Sequence, residues 1–167
     1  YDELPSVTNP PAGWLQNCNS TPWRTTSGEG NPDREQFSWA WGISTRMSNR
    51  AVRSHEMFGA DESITREEFL RYKFDRAYSR KGPIWPEALK PVLDTFEPVT
   101  DHESQALELL RGWDGECDEA STAAALAILT YRPAWAALNL HQKGVVPDPL
   151  ISFREAVAFL VEHHGRV

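Results

Sequence analysis

Hydrophobic and polar positions follow two regimes along this chain. Up to about residue 46 there is no period: Pro, Gly, Ser, Thr and Asn recur, and the large apolar side chains are mostly aromatic, at Trp14, Trp23, Phe37, Trp39 and Trp41. Such a pattern predicts an irregular arm with one short strand starting at Trp14. An arm this long must be held by its own aromatics or packed on something outside the sequence. Beyond residue 46 the spacing turns helical. Ser48 or Asn49 caps a first segment that runs to about Phe58 and stops at Gly59. Thr65 and Glu68 form a capping box for a second, which sets Leu70, Phe74 and Ala77 on one face to about Tyr78, before Arg80-Lys81-Gly82-Pro83.

A third segment has Pro86 in its first turn and Leu89, Val92, Leu93 and Phe96 as apolar surface, with Pro91 expected to kink or delay it. Thr100 and Glu103 form another capping box, followed by Ala106, Leu109, Leu110 and Trp113 on one face and a turn at Gly112-Trp113-Asp114-Gly115. Ser121 opens a helix from Ala123 to Leu129 that is apolar nearly all round, so it should be the most buried, and should end near Arg132-Pro133. Ser152 and Glu155 start a last amphipathic helix with Phe153, Val157, Leu160 and Val161. His163 and His164 then suit its C-terminal dipole better than a metal. The predicted fold is mainly α: a helical region over 46–167 behind an arm over 1–45, taken as one unit.

Length and charge narrow the function classes. A chain of 167 residues supports one core and is short for two. A net charge of −7 argues against nucleic acid and against an anionic membrane surface as partners. No apolar run approaches the roughly 20 residues of a membrane span, and Tyr1-Asp2-Glu3-Leu4-Pro5 has neither an initiator Met nor a signal-peptide layout. Tyr1 is therefore expected to be internal to a longer chain, a proteolytic product or an expressed piece giving the same start. Two cysteines, Cys18 and Cys117, are too few for a disulfide scaffold or a zinc site; a single bridge between them is left open. A nucleophilic Cys18 would need one of His55, His102, His141, His163 or His164 beside it.

The stretch Asn9-Pro10-Pro11-Ala12-Gly13-Trp14-Leu15-Gln16-Asn17-Cys18-Asn19-Ser20-Thr21-Pro22-Trp23 concentrates the candidate chemistry. Neutral amides after a short extended run can donate hydrogen bonds to a developing negative charge without titrating. The competing reading is that Asn17, Asn19 and Ser20 only satisfy turn backbone. Gly13-Trp14-Leu15-Gln16-Asn17-Cys18-Asn19-Ser20-Thr21-Pro22 resembles the Gly-aromatic-apolar-x-Asn-x-Asn segment in the β subunit of penicillin acylases and acyl-homoserine-lactone acylases, which are N-terminal-nucleophile hydrolases. Cys18 stands where that family has an aromatic or small residue. Trp41-Gly42, the run from Arg46 to Arg53, and Leu109-Leu110-Arg111-Gly112-Trp113-Asp114-Gly115 follow in the same order as in these acylases.

The resemblance implies a piece of an αββα hydrolase β subunit, with helices that wrap a sandwich lying elsewhere. It implies Asn19 as oxyanion-hole donor and Arg50 as the arginine ordering the active site, with Arg46 as rival. It implies hydrolysis of N-acyl amides, such as acyl-homoserine lactones or β-lactam side chains, by an N-terminal serine whose own amine is the base. That serine would lie before Tyr1, so the piece alone would be inactive. No cofactor or metal is implied; the partners are the α subunit and the rest of the β subunit, and the location is the periplasm or outside of a bacterium. Two other classes compete: a small all-α interaction module that docks partners through Trp14, Trp23 or Trp39, and a thiol enzyme built on Cys18.

Overall fold

A computed structural model describes residues 3–139 and 145–167. Tyr1 and His141 lie outside the described residues. The chain divides into two compact units, Tyr1–Asp75 and Arg76–Val167.

In the first unit the arm is irregular but closed on itself. Three single 3-10 turns, Pro22–Arg24, Arg34–Gln36 and Trp39–Trp41, punctuate it, each opened by a side chain that accepts a backbone N–H: Thr21, Asp33 and Ser38. No strand forms among the described residues. From Trp14 to Asn17 the backbone carries no ladder; the Gln16 N–H bonds the Thr25 carbonyl at 2.8 Å, one loop-closing bond with no strand beside it. The expected strand is thus corrected to a closed loop. The aromatics do hold the arm. Trp14 lies edge-on to His55 at 5.1 Å and packs on Phe58 at 5.8 Å, while Trp23, Phe37 and Trp41 form a chain of rings.

Helix α1 (Asn49–Phe58) starts where expected, with Ser48 accepting from the Ala51 N–H and Gly59 closing it. Helix α2 (Arg66–Lys73) has the full Thr65–Glu68 capping box. It stops short of Tyr78: Phe74 is 67% exposed, and Asp75 takes a two-pronged bond from Arg53 at 2.6 and 2.8 Å. That ion pair lifts the Arg53 guanidinium further above its ordinary pKa, chiefly through the hydrogen bonds to Asp75 against the cost of burial.

The second unit has an apolar core. A wide turn over Trp85–Leu89, in which Lys90 N–H reaches back to the Trp85 carbonyl, precedes α3 (Lys90–Thr95). This i to i−5 step absorbs Pro86 and Pro91, which lack the N–H that a regular helix needs. Helix α4 (Asp101–Gly112) carries its capping box and buries Ala106, Leu107 and Leu110, with Leu109 only half-buried. Glu103 is also buried: it accepts Val99 N–H at 2.7 Å and Arg154 Nε at 2.8 Å, contacts that hold its carboxyl below the ordinary range, the Val99 bond first.

Helix α5 (Thr122–Asn139) continues through Pro133, past its predicted end. One lost N–H is outweighed by a following run of strong helix formers, Ala134 to Leu138, with Ala134 buried in the core. It is also less enclosed than its composition predicts, since Ile128 and Trp135 are exposed by 38% and 45%. Helix α6 (Pro149–His164) begins three residues before Ser152, because Asp148 caps Leu150 N–H at 2.9 Å and Pro149 fits the first helical position; Ser152 is buried inside the helix. Its His163 Nδ1 lies 2.9 Å from the Phe159 carbonyl and its ring stacks on Phe159. At Gly115 the backbone takes φ +98° and a Cβ would sit 2.5 Å from the Tyr78 carbonyl, while Tyr78 N–H bonds the Gly115 carbonyl at 2.8 Å. Only glycine fits that crossing.

Candidate functional site

The candidate site lies in the first unit, where the loop from Gln16 to Thr25 meets the start of α1. Asn19 is at the tip of this loop with φ +52°, a left-handed conformation that asparagine adopts more readily than most residues. Its own N–H is paired with Asn17 Oδ1 at 3.3 Å, an Asx-type closure that fits Asn17 into the turn.

Three groups on and before α1 reach this loop. Ser48 Oγ donates to the Cys18 carbonyl at 3.0 Å while accepting Ala51 N–H at 3.2 Å, so one hydroxyl serves both the helix cap and the loop. Arg50 Nη2 donates to Asn19 Oδ1 at 2.9 Å and lies 3.4 Å from the Cys18 carbonyl. Arg46 supplies its carbonyl to Thr21 N–H at 3.1 Å. Of the two arginines weighed from the sequence, it is therefore Arg50 whose guanidinium meets Asn19.

This contact fixes which way the amide faces. A guanidinium has donors only, so the oxygen of Asn19 must face it and both Nδ2 hydrogens are left for another acceptor. A charged donor on the carbonyl end also polarises the amide and strengthens the donors at its other end. Asn19 and Arg50 are both exposed. The arrangement can therefore offer a neutral, non-titrating donor backed by a permanent positive charge.

Beneath the tip, Gln16 is 8% exposed and spends every side-chain polar group within the loop. Its Oε1 accepts Cys18 N–H at 2.9 Å, and its Nε2 donates to the Arg24 carbonyl at 2.9 Å and to Ser20 Oγ at 3.3 Å. Gln16 has no distinguishing mark in the sequence beyond its place inside the amide-rich segment. His55 Nε2 lies 2.9 Å from the same Arg24 carbonyl.

Cys18 and Cys117 are free thiols. Cys18 Sγ lies 3.6 Å from Ser54 Oγ, and His55 is engaged with Arg24 and Trp14 instead of the thiol. Burial first, then the neighbouring carboxylates Glu116, Asp114 and Asp118, push the Cys117 thiol up, away from the thiolate that a reactive cysteine needs. Among the described residues no cluster of His, Cys, Asp and Glu could hold a metal ion, and no helix is long and apolar enough to cross a membrane.

A side-chain amide whose N–H groups are left for another acceptor is the kind of donor that can stabilise a developing negative charge. The chain belongs to the penicillin amidase family, whose model, described as penicillin amidase, matches residues 1–164. That family consists of N-terminal-nucleophile hydrolases of amide bonds, typically processed into more than one chain and generally periplasmic or secreted.

Proposed function

We propose that this chain supplies the oxyanion-stabilising part of a penicillin-amidase-type acylase that hydrolyses N-acyl amides, with acyl-homoserine lactones or β-lactam side chains as substrate classes. The observation that carries this reading is the 2.9 Å bond from Arg50 to Asn19 Oδ1, which leaves Nδ2 as the donor for the oxyanion. Asn19 would donate to the tetrahedral intermediate, and Arg50 would orient and polarise Asn19. The nucleophilic N-terminal residue, its α-amino base and the second oxyanion donor are assigned to the remainder of the α and β subunits, in the periplasm or outside the cell. The chain assayed alone should then turn over no N-acyl amide, because a donor without a nucleophile stabilises a charge that never forms.

Asn19→Ala in the mature enzyme should lower kcat by about a hundredfold with the fold intact, and Arg50→Met by about tenfold. Steady-state kinetics with an N-acyl substrate measure both; an unchanged kcat for Asn19→Ala would remove the assignment. The interaction-module alternative is weakened because Trp14 and Trp23 are occupied by ring contacts within the unit, although Trp39 stands 88% exposed.

A further inference from the structure

Gln16 is buried at the base of the loop whose tip carries Asn19, and its amide bridges both arms of that loop. We infer that Gln16 is a positioning residue for the proposed reaction, acting through Asn19; this rests on the oxyanion reading of Asn19. Ser20 stands four positions after Gln16 and Arg24 eight, so one side chain ties the start, the tip and the return of the loop. With its Oε1 on the Cys18 N–H and Nε2 on the Arg24 carbonyl, the amide cannot flip without opposing carbonyl to carbonyl and N–H to N–H.

Cys18 is thereby held through the peptide units on both sides of it. Its N–H is bound by Gln16, and its carbonyl by Ser48 and Arg50. Because Cys18 leads directly into Asn19, the orientation of these two units sets where the left-handed Asn19 backbone starts and where Nδ2 points. An oxyanion donor works only within a few tenths of an ångström of its target distance, so loosening the peptide degrades the donor without touching substrate. Gln16 also has a different signature from a residue that merely supports the fold. Its loss should fall on kcat and pass through Asn19.

The test is a double-mutant cycle in the mature full-length enzyme, with Gln16→Met, Asn19→Ala and the pair. Gln16→Met keeps the volume and removes every side-chain hydrogen bond. It should lower kcat about tenfold with KM within about twofold, and this loss should vanish when Asn19 is already Ala. An equal loss in both backgrounds would overturn the positioning role. Should Asn19→Ala alone leave kcat unchanged, the oxyanion reading itself fails, a result visible before the cycle is closed.

Gln16→Glu supplies a second readout, including the case in which Gln16→Met does not fold. The Glu carboxylate retains the acceptor for Cys18 N–H and lacks a donor for the Arg24 carbonyl. On protonation it regains an O–H donor. The ratio of its kcat to that of wild type should therefore rise as pH falls through the Glu carboxyl range, and a pH-independent ratio would contradict the inference.

Discussion

The two units of the chain are stabilised by different means. In the second, the core is apolar: Ile84, Leu89, Val92, Leu110, Leu126 and Phe153 have at most 1% exposure, drawn from the start of the wide turn through α6. In the first, Gln16, Thr21 and Thr26 are buried and, among the described residues, a single small apolar residue, Ala51, is buried with them. Of these, Gln16 and the Thr21 hydroxyl satisfy loop backbone, whereas the Thr26 hydroxyl has no hydrogen-bond partner. Apolar burial is non-directional and tolerates repacking, whereas hydrogen-bonded loops fix direction and lose it abruptly when one partner goes. A scaffold made the second way suits a donor that must point at one place.

The largest effect that tests this contrast is expected at Leu126. Leu126→Ala empties a fully buried position of α5 and should destabilise the helical unit by about 3 kcal/mol, measured as a lower denaturation midpoint. A change within 0.5 kcal/mol, of the order of surface substitutions, would mean that this core is not what holds the unit.

Asn31 probes the other regime. Its Oδ1 accepts Thr25 and Thr26 N–H at 2.7 and 3.1 Å, and its Nδ2 donates to the Thr26 carbonyl at 2.9 Å. Asn31→Ala should cost about 2 kcal/mol by leaving the buried Thr26 backbone unpaired, and should speed amide exchange at Thr25 and Thr26. Unchanged exchange there would show that the loop does not depend on side-chain stitching.

The smallest effect sharpens the border between the two regimes, since Glu103 is a hydrogen-bonded group within the apolar unit. Its carboxyl is held below its ordinary pKa, first by Val99 N–H and then by Arg154. The stabilisation is complete above the ordinary carboxyl value and is lost as pH falls through the lowered one. Glu103→Gln should therefore be less stable than wild type by about 1 kcal/mol at neutral pH, and the gap should close in acid. Thermal unfolding across pH measures it; a gap that widens in acid would contradict the assignment.

Local chemistry made much of the helical architecture legible in the sequence. Ser48, Thr65 and Thr100 each cap a backbone N–H three residues away, so the signal and its effect lie in one short window. The ends that were misplaced depend on distant partners. Helix α2 stops where Asp75 is taken by Arg53, and α5 passes Pro133 because Ala134 lies in a core built by other helices. The start of α6 was available locally in Asp148-Pro149, but the Ser152–Glu155 pair imitated a capping box. At the candidate site the resemblance singled out Asn19 and Arg50, yet their contact spans 31 residues, which no local pattern encodes. Gln16 was hidden for the opposite reason: a glutamine in a loop carries no positional signature until its partners are known.

The shared hydroxyl of Ser48 has a kinetic consequence. Because it caps Ala51 and holds the Cys18 carbonyl at the same time, fraying of the first turn of α1 removes one of the bonds that fix Cys18. The solvent exchange of a single helix amide, Ala51, is thus coupled to the loosening of the loop tip.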